Sequence, residues 1–182
     1  MARVPYIQRA DLPPDQQQNH DSITELRGGR LAKVFSLFLN APEMAARIGD
    51  VGAYGRFRSV VPDDVREIAI LATAREFGCQ YEFTHHVPIA KQADVRDVVI
   101  EGINAETTEG MRPEESAIVE YARQVLSNRV DDAAFAAIEG MLGRQGAVEA
   151  TMIVGYYAMM GHTMMALGVE LEEGVVALLP RA

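Results

Sequence analysis

The sequence predicts an all-α protein, and three observations carry that expectation. From Ser22 onward apolar residues recur at spacings of three and four, as along the buried stripe of a helix. No Val/Ile/Thr-rich stretch alternates for long enough to make a strand. Helix punctuation falls between the periodic segments, with Pro42 and Pro113 at two openings, Asp63-Asp64 at a third and Gly78 at a junction.

Taken in order, residues 1–20 hold Pro5, Pro13 and Pro14 beside Gln16-Gln17-Gln18 and read as an irregular N-terminal arm. Residues 21–182 then suit a single helical domain, since the length is enough for one core and short for two. A first helix is expected through Ile23 and Leu26, past Gly28-Gly29, into Leu31, Val34, Phe35 and Phe38. Pro42 opens a second at its first turn, and the glycines from Gly49 to Gly55 loosen its end. Asp63 and Asp64 cap a helix over 65–77 whose run Ile68 to Ala72 is apolar all round and therefore central. Gly78 stops it and brings Cys79 to the start of the next helix, in which Pro88 should force a kink or a restart.

Further helices are expected over 94–103, 113–127 and 131–142, followed by a long apolar one over 147–169. Glu149 and His162 interrupt that last segment and no basic cluster flanks it, so it reads as a buried helix and no membrane partner is expected. Burial on nearly all sides in so small a chain points to a neighbouring subunit, and Met159, Met160, Met164 and Met165 suit such an interface.

Composition excludes other classes. Apolar residues make up 48% and charged residues 24%, which is globular usage. The formal charge is −9 and the 17 basic residues form no cluster, which argues against nucleic acid. One cysteine excludes an internal disulfide, and with no leader-like pattern at Met1 to Pro5 the expected location is cytoplasmic. Glu82, His85, His86 and His162 match no zinc-ligand spacing, so neither a metal nor another cofactor is expected.

The chemistry lies between Glu67 and His86. Cys79, Glu82 and His86 are spaced three and four apart, which places them along one helix stripe with Glu82 and His86 roughly 5–6 Å apart at Cβ. Glu67 shares a face with Leu71 and Ala74, where an unpaired carboxylate is too costly to bury, so a partner across the hairpin is expected, and His86 is the natural one. His85 points about 100° away, toward a rim. Each group also has a structural reading: Glu67 as a first-turn helix acid, His86 as a satisfied core residue, Cys79 as a small inert core side chain.

Glu67, then Gly78-Cys79 with the cysteine twelve residues on, Glu82 and His86 together resemble the motif of the carboxymuconolactone decarboxylase family, which includes the alkylhydroperoxidase D-like proteins. The likeness extends to Pro62 and Arg66-Glu67, to Tyr81-Glu82-Phe83, to Gly155-Tyr156-Tyr157 and to Ala166 through Val169, and covers the chain from about Leu31 onward. It implies an alkylhydroperoxidase D-like helical bundle whose central hairpin carries the site, assembled as a homotrimer or homohexamer. It also implies cofactor-free acid/base catalysis on a small-molecule substrate, a decarboxylation or related proton transfer on a carboxylated lactone or ring-cleavage acid of aromatic compound catabolism. In that scheme Glu67, Cys79, Glu82 and His86 are the catalytic set, His86 exchanges the proton, and the two glutamates hold its tautomer. Arg58 and Tyr81 are candidate substrate contacts, with Arg56 and Arg75 as other cations near enough in sequence. The alkylhydroperoxidase D-like branch carries Cys-x-x-Cys where this chain has Glu82 in place of the second thiol. A thiol-dependent peroxidase using Cys79 alone is thus the alternative, and a non-catalytic helical oligomer a second one.

Overall fold

A computed structural model describes residues 1–180. Its secondary structure is helical throughout, with no strand among the described residues: a 3-10 turn Arg9–Asp11, then α1 Gln17–Glu25, α2 Lys33–Phe38, α3 Pro42–Phe57, α4 Asp63–Glu76, α5 Gln80–Gln92, α6 Asp97–Asn104, α7 Pro113–Leu126 and α8 Asp132–Leu167. The chain divides into two compact units, one of Met1–Arg58 with Met164–Glu173 and one of Ser59–Thr163 with Gly174–Ala182.

In the first unit the leading segment has more order than its composition suggests. It holds the 3-10 turn and the first residues of α1, and it is tied down by the Ile7 N–H donating to Ser36 O at 2.9 Å and Asn40 Nδ2 donating to Pro5 O at 2.8 Å. The single helix expected from Ile23 to Phe38 is two. Gly28 and Gly29 take φ of 65° and 81°, a left-handed pair that ends α1, and Gly29 N–H closes back onto Thr24 O. The glycines of α3 act differently from expectation, because the helix runs through them to Phe57. A Cβ on Gly49 would lie 3.2 Å from Ile23 Cγ1, so glycine here lets α1 and α3 approach closely.

The second unit is organised by α4, which packs against α5, α6 and α7. One side of α4 sends Ile68, Leu71 and Ala72 into a core with Phe83 and Val87 of α5, Val99 and Ile103 of α6, Ile118, Val119 and Ala122 of α7, and Ile138 and Val154 of α8. Its other side sends Ile70 against Ala150, Ile153 and Tyr157 of α8. A helix enclosed this way is apolar all round, as its central run implied. Leu71→Ala is expected to cost about 2–5 kcal/mol in urea unfolding, since the enclosing helices cannot all close on the void.

Three boundaries in this unit differ from expectation. Asp63 and Asp64 lie inside the first turn of α4 and favour its dipole, while Pro62 is the residue before the helix and no side chain caps it. Pro88 does not break α5; it is exposed, where a lost backbone hydrogen bond is least costly. Helix α6 starts at Asp97 because Asp94, at φ 60°, serves as the left-handed stop of α5. The two last helices expected from the sequence meet at Gly143, whose φ of 69° and ψ of 171° interrupt α8. No helix among the described residues is long and apolar enough to cross a membrane.

The tail of this unit is anchored. Leu179 is buried in the core of the unit, and the Gln80 side chain accepts from Leu178 N–H at 2.8 Å and Leu179 N–H at 3.0 Å while donating to Leu179 O at 3.1 Å.

Candidate active site

Helices α4 and α5 form an antiparallel hairpin around Gly78, whose φ of +64° reverses the chain within one residue and lets Cys79 N–H bond to Ala74 O at 2.8 Å. That turn sets the register of the site. Cys79 becomes the residue before α5, Glu82 falls in the first turn and His86 one turn later. Across the hairpin, His86 Nδ1 lies 2.6 Å from Glu67 Oε2, and His86 Nε2 lies 3.0 Å from Glu82 Oε1. Both ring nitrogens are therefore held by carboxylates. The ring makes a T-shaped contact with Tyr157 of α8 at 5.2 Å between centroids.

The other oxygen of Glu67 accepts from Arg66 Nε at 3.2 Å, and Arg66 Nη1 reaches Asp63 Oδ1 at 2.7 Å. Charges thus alternate in sign along Asp63, Arg66, Glu67, His86 and Glu82. Such alternation makes burial tolerable, because each ion keeps a partner in place of lost water. Side-chain exposure is 9% at Glu82, 7% at His86 and 0% at Glu67. Glu82 is therefore the least enclosed of these three.

The electrostatics follow from that packing. Burial alone would lower the His86 pKa, but hydrogen bonds and charge from Glu67 and Glu82 outweigh it and raise it to about 9, so the ring is an imidazolium at neutral pH. Burial works to raise Glu67, and the hydrogen bond and charge of His86 with the charge of Arg66 overcome it, leaving the carboxyl below its ordinary range. Burial pushes the Cys79 thiol up to about 11; the charge of Glu82 adds to this, and the backbone N–H groups of Glu82 and Tyr81 oppose it. The sulfur is enclosed as well, since a Cβ on Gly161 of α8 would lie 3.8 Å from Cys79 Sγ.

The hairpin brings Glu67, Glu82 and His86 into direct contact, with Cys79 one turn before Glu82. His86 has both nitrogens bonded to carboxylates, and of its two partners Glu82 is the less enclosed. Tyr81 is buried and stacks on His85 at 4.1 Å, and His85 Nδ1 bonds to Tyr81 O. Arg58 ends α3 in the first unit, bonded to Asp50 at 3.0 Å and set over the Tyr54 ring. Arg56 lies over Phe57, and Arg75 donates to Asn104 O and pairs with Glu106. His162 stacks on Phe77 at 4.1 Å, and no group of three or more His, Cys, Asp or Glu among the described residues is arranged to hold a metal ion. Sequence reasoning missed Arg66 and Tyr157 as neighbours of the line. Adjacent helix residues seldom face one another, so spacing alone gave no signal that Arg66 would bond to Glu67.

No family model and no curated protein sequence matches the chain. Solved structures do. An alkylhydroperoxidase AhpD core, an uncharacterized peroxidase-related protein from Ralstonia eutropha JMP134, superposes with a TM-score of 0.77 at 18% identity, over 94% of this chain and 93% of that one. This chain has the AhpD-core fold. The debrominase Bmp8 superposes with a TM-score of 0.69 at 17% identity in its apo form, over 92% of this chain and 90% of that one. A cysteine-to-alanine variant of Bmp8 in complex with 2,3,4-tribromopyrrole gives 0.71 at 15%, over 95% of both chains. The likeness at these identities is one of fold.

Proposed function

We propose that the protein is a cofactor-free acid/base enzyme of the carboxymuconolactone decarboxylase type, acting on a small carboxylated lactone or ring-cleavage acid. One observation carries the reading: a buried imidazole bonded at both nitrogens to carboxylates, the less enclosed of the two at the start of a helix. In a decarboxylation the carbon–carbon bond breaks, carbon dioxide leaves, and its electron pair stays on the substrate as an enolate-like anion. His86 passes its Nε2 proton to Glu82, Glu82 delivers it to that carbon, and Glu67 steadies the ring through the change of charge. The relay then regains a proton from water.

A second reading keeps Cys79 as the reacting atom. It is supported by the position of the thiol before α5, where the Glu82 and Tyr81 amides favour a thiolate, and by fold neighbours described as peroxidase-related and as a debrominase with a cysteine-to-alanine variant. A thiol raised to about 11 is almost wholly protonated at neutral pH, which weighs against it.

The deciving test compares carbon dioxide release from carboxymuconolactone with hydroperoxide consumption in the presence of an added thiol. Cys79→Ser is expected to keep at least half of the first activity. Retention of hydroperoxide turnover as the sole activity, lost in Cys79→Ser, would overturn the acid/base reading.

A further inference from the structure

Arg66 is a buried cation whose two bonds are a short branch off the acid/base line. Its Nε donates to Glu67 Oε1 at 3.2 Å and its Nη1 to Asp63 Oδ1 at 2.7 Å, and only 7% of its side chain is exposed whereas 74% of Asp63 is. The pair between Arg66 and Asp63 therefore reaches water on one side only. Inside, Arg66, Glu67, His86 and Glu82 sum to zero charge when all are ionised. Without Arg66 the buried group would carry one unbalanced negative charge, and a carboxylate relieves such an imbalance by taking up a proton.

We infer that Arg66 is a positioning residue of the relay: its guanidinium holds Glu67 as an anion, so that the relay proton resides on the His86 ring. The inference rests on the acid/base reading for its kinetic consequence alone. Among the described residues, the ion pairs of Glu67 are with Arg66 and His86. Of the groups on neighbouring elements, Glu82 bonds to His86 from within α5, and α8 supplies the Tyr157 ring in a T-shaped contact. On α7, Glu115 is paired with Arg96 and Glu120 with Arg123. Asp97 of α6 is paired with Lys91, and Arg75 of α4 with Glu106.

The test is a carbon-13 NMR titration of the glutamate carboxyls in the full chain, with the Glu67 resonance assigned from Glu67→Gln. In Arg66→Gln the Glu67 midpoint is expected to rise by about one pH unit or more, as follows from losing an adjacent opposite charge, whereas Arg66→Lys keeps the charge and moves it less. The acid limb of the kcat profile should rise with it while KM stays put. An unmoved midpoint in folded Arg66→Gln overturns the inference, as does an equal shift in Arg66→Lys. Should Arg66→Gln not fold at neutral pH, Arg66→Met carries the same titration, and refolding of either in mild acid is the expected rescue; no rescue counts against the inference. A shifted midpoint in a protein that turns over neither test compound supports the role of Arg66 and sinks the proposed function.

Discussion

Glu82→Gln is expected to lower turnover by roughly 10²–10⁴-fold, the usual worth of a positioned general acid or base, while leaving the helical circular dichroism of the protein unchanged. Glutamine keeps the size of the side chain and its carbonyl can still accept from His86 Nε2, so the hairpin has no steric reason to open. What disappears is the carboxyl that, in the proposed relay, takes the proton from His86 and hands it to the substrate. His86→Gln should reduce turnover by a similar factor, and the double variant should lose little beyond either single change, since the two act in one relay. If Glu82→Gln retains more than a tenth of wild-type turnover, protons do not pass through this side chain. Substrate affinity is expected to change less than kcat in both variants, and parallel measurement of kcat and KM separates the two effects.

Glu67→Gln is the substitution expected to damage stability most. It removes one partner of a buried hydrogen-bonded pair and leaves His86 with Glu82 alone, a class of change that costs about 3–5 kcal/mol. The same network dictates a pH dependence with a definite sign. The His86 pKa is raised from 6.5 to about 9, so its contribution is complete below 6.5 and is lost as pH climbs through 9. The Glu67 pKa is lowered from 4.5, so its contribution is present above 4.5 and is lost as pH falls beneath that value. Urea midpoints of the wild type should therefore peak between these ranges and decline from neutral pH toward 9. In Glu67→Gln the decline should be shallower overall and should end at lower pH, because the imidazolium has lost a counter-charge. An alkaline slope of equal steepness in both proteins would show that the hairpin pair does not set it.

How far the sequence alone reaches is clearest at the hairpin. Glycine at position 78, the apolar run of α4 and the three-and-four spacing of Cys79, Glu82 and His86 are local signals, and each survives folding as expected. The pairing of Glu67 with His86 was also legible, because desolvation leaves a buried carboxylate few options. Other features depended on tertiary context. Gly49 reads as a helix breaker by propensity and becomes a contact surface only once Ile23 is packed against it. Gly28-Gly29 reads as a weak spot and is a full reversal, since both residues adopt left-handed angles that side chains rarely take. The surroundings of His86 depended on context for a related reason: spacing identifies which groups meet, whereas the saturation of both ring nitrogens is visible only in three dimensions.

The anchored tail has a practical corollary. Leu179 acts as a plug, and the carboxamide at position 80 clasps the segment that delivers it, one residue from the thiol. Trimming the polypeptide just ahead of Leu178 would pull that plug and unclasp the opening turn of α5 in a single stroke. Proteolytic nicking around the exposed Val176 should therefore announce itself as lost activity before any loss of helix.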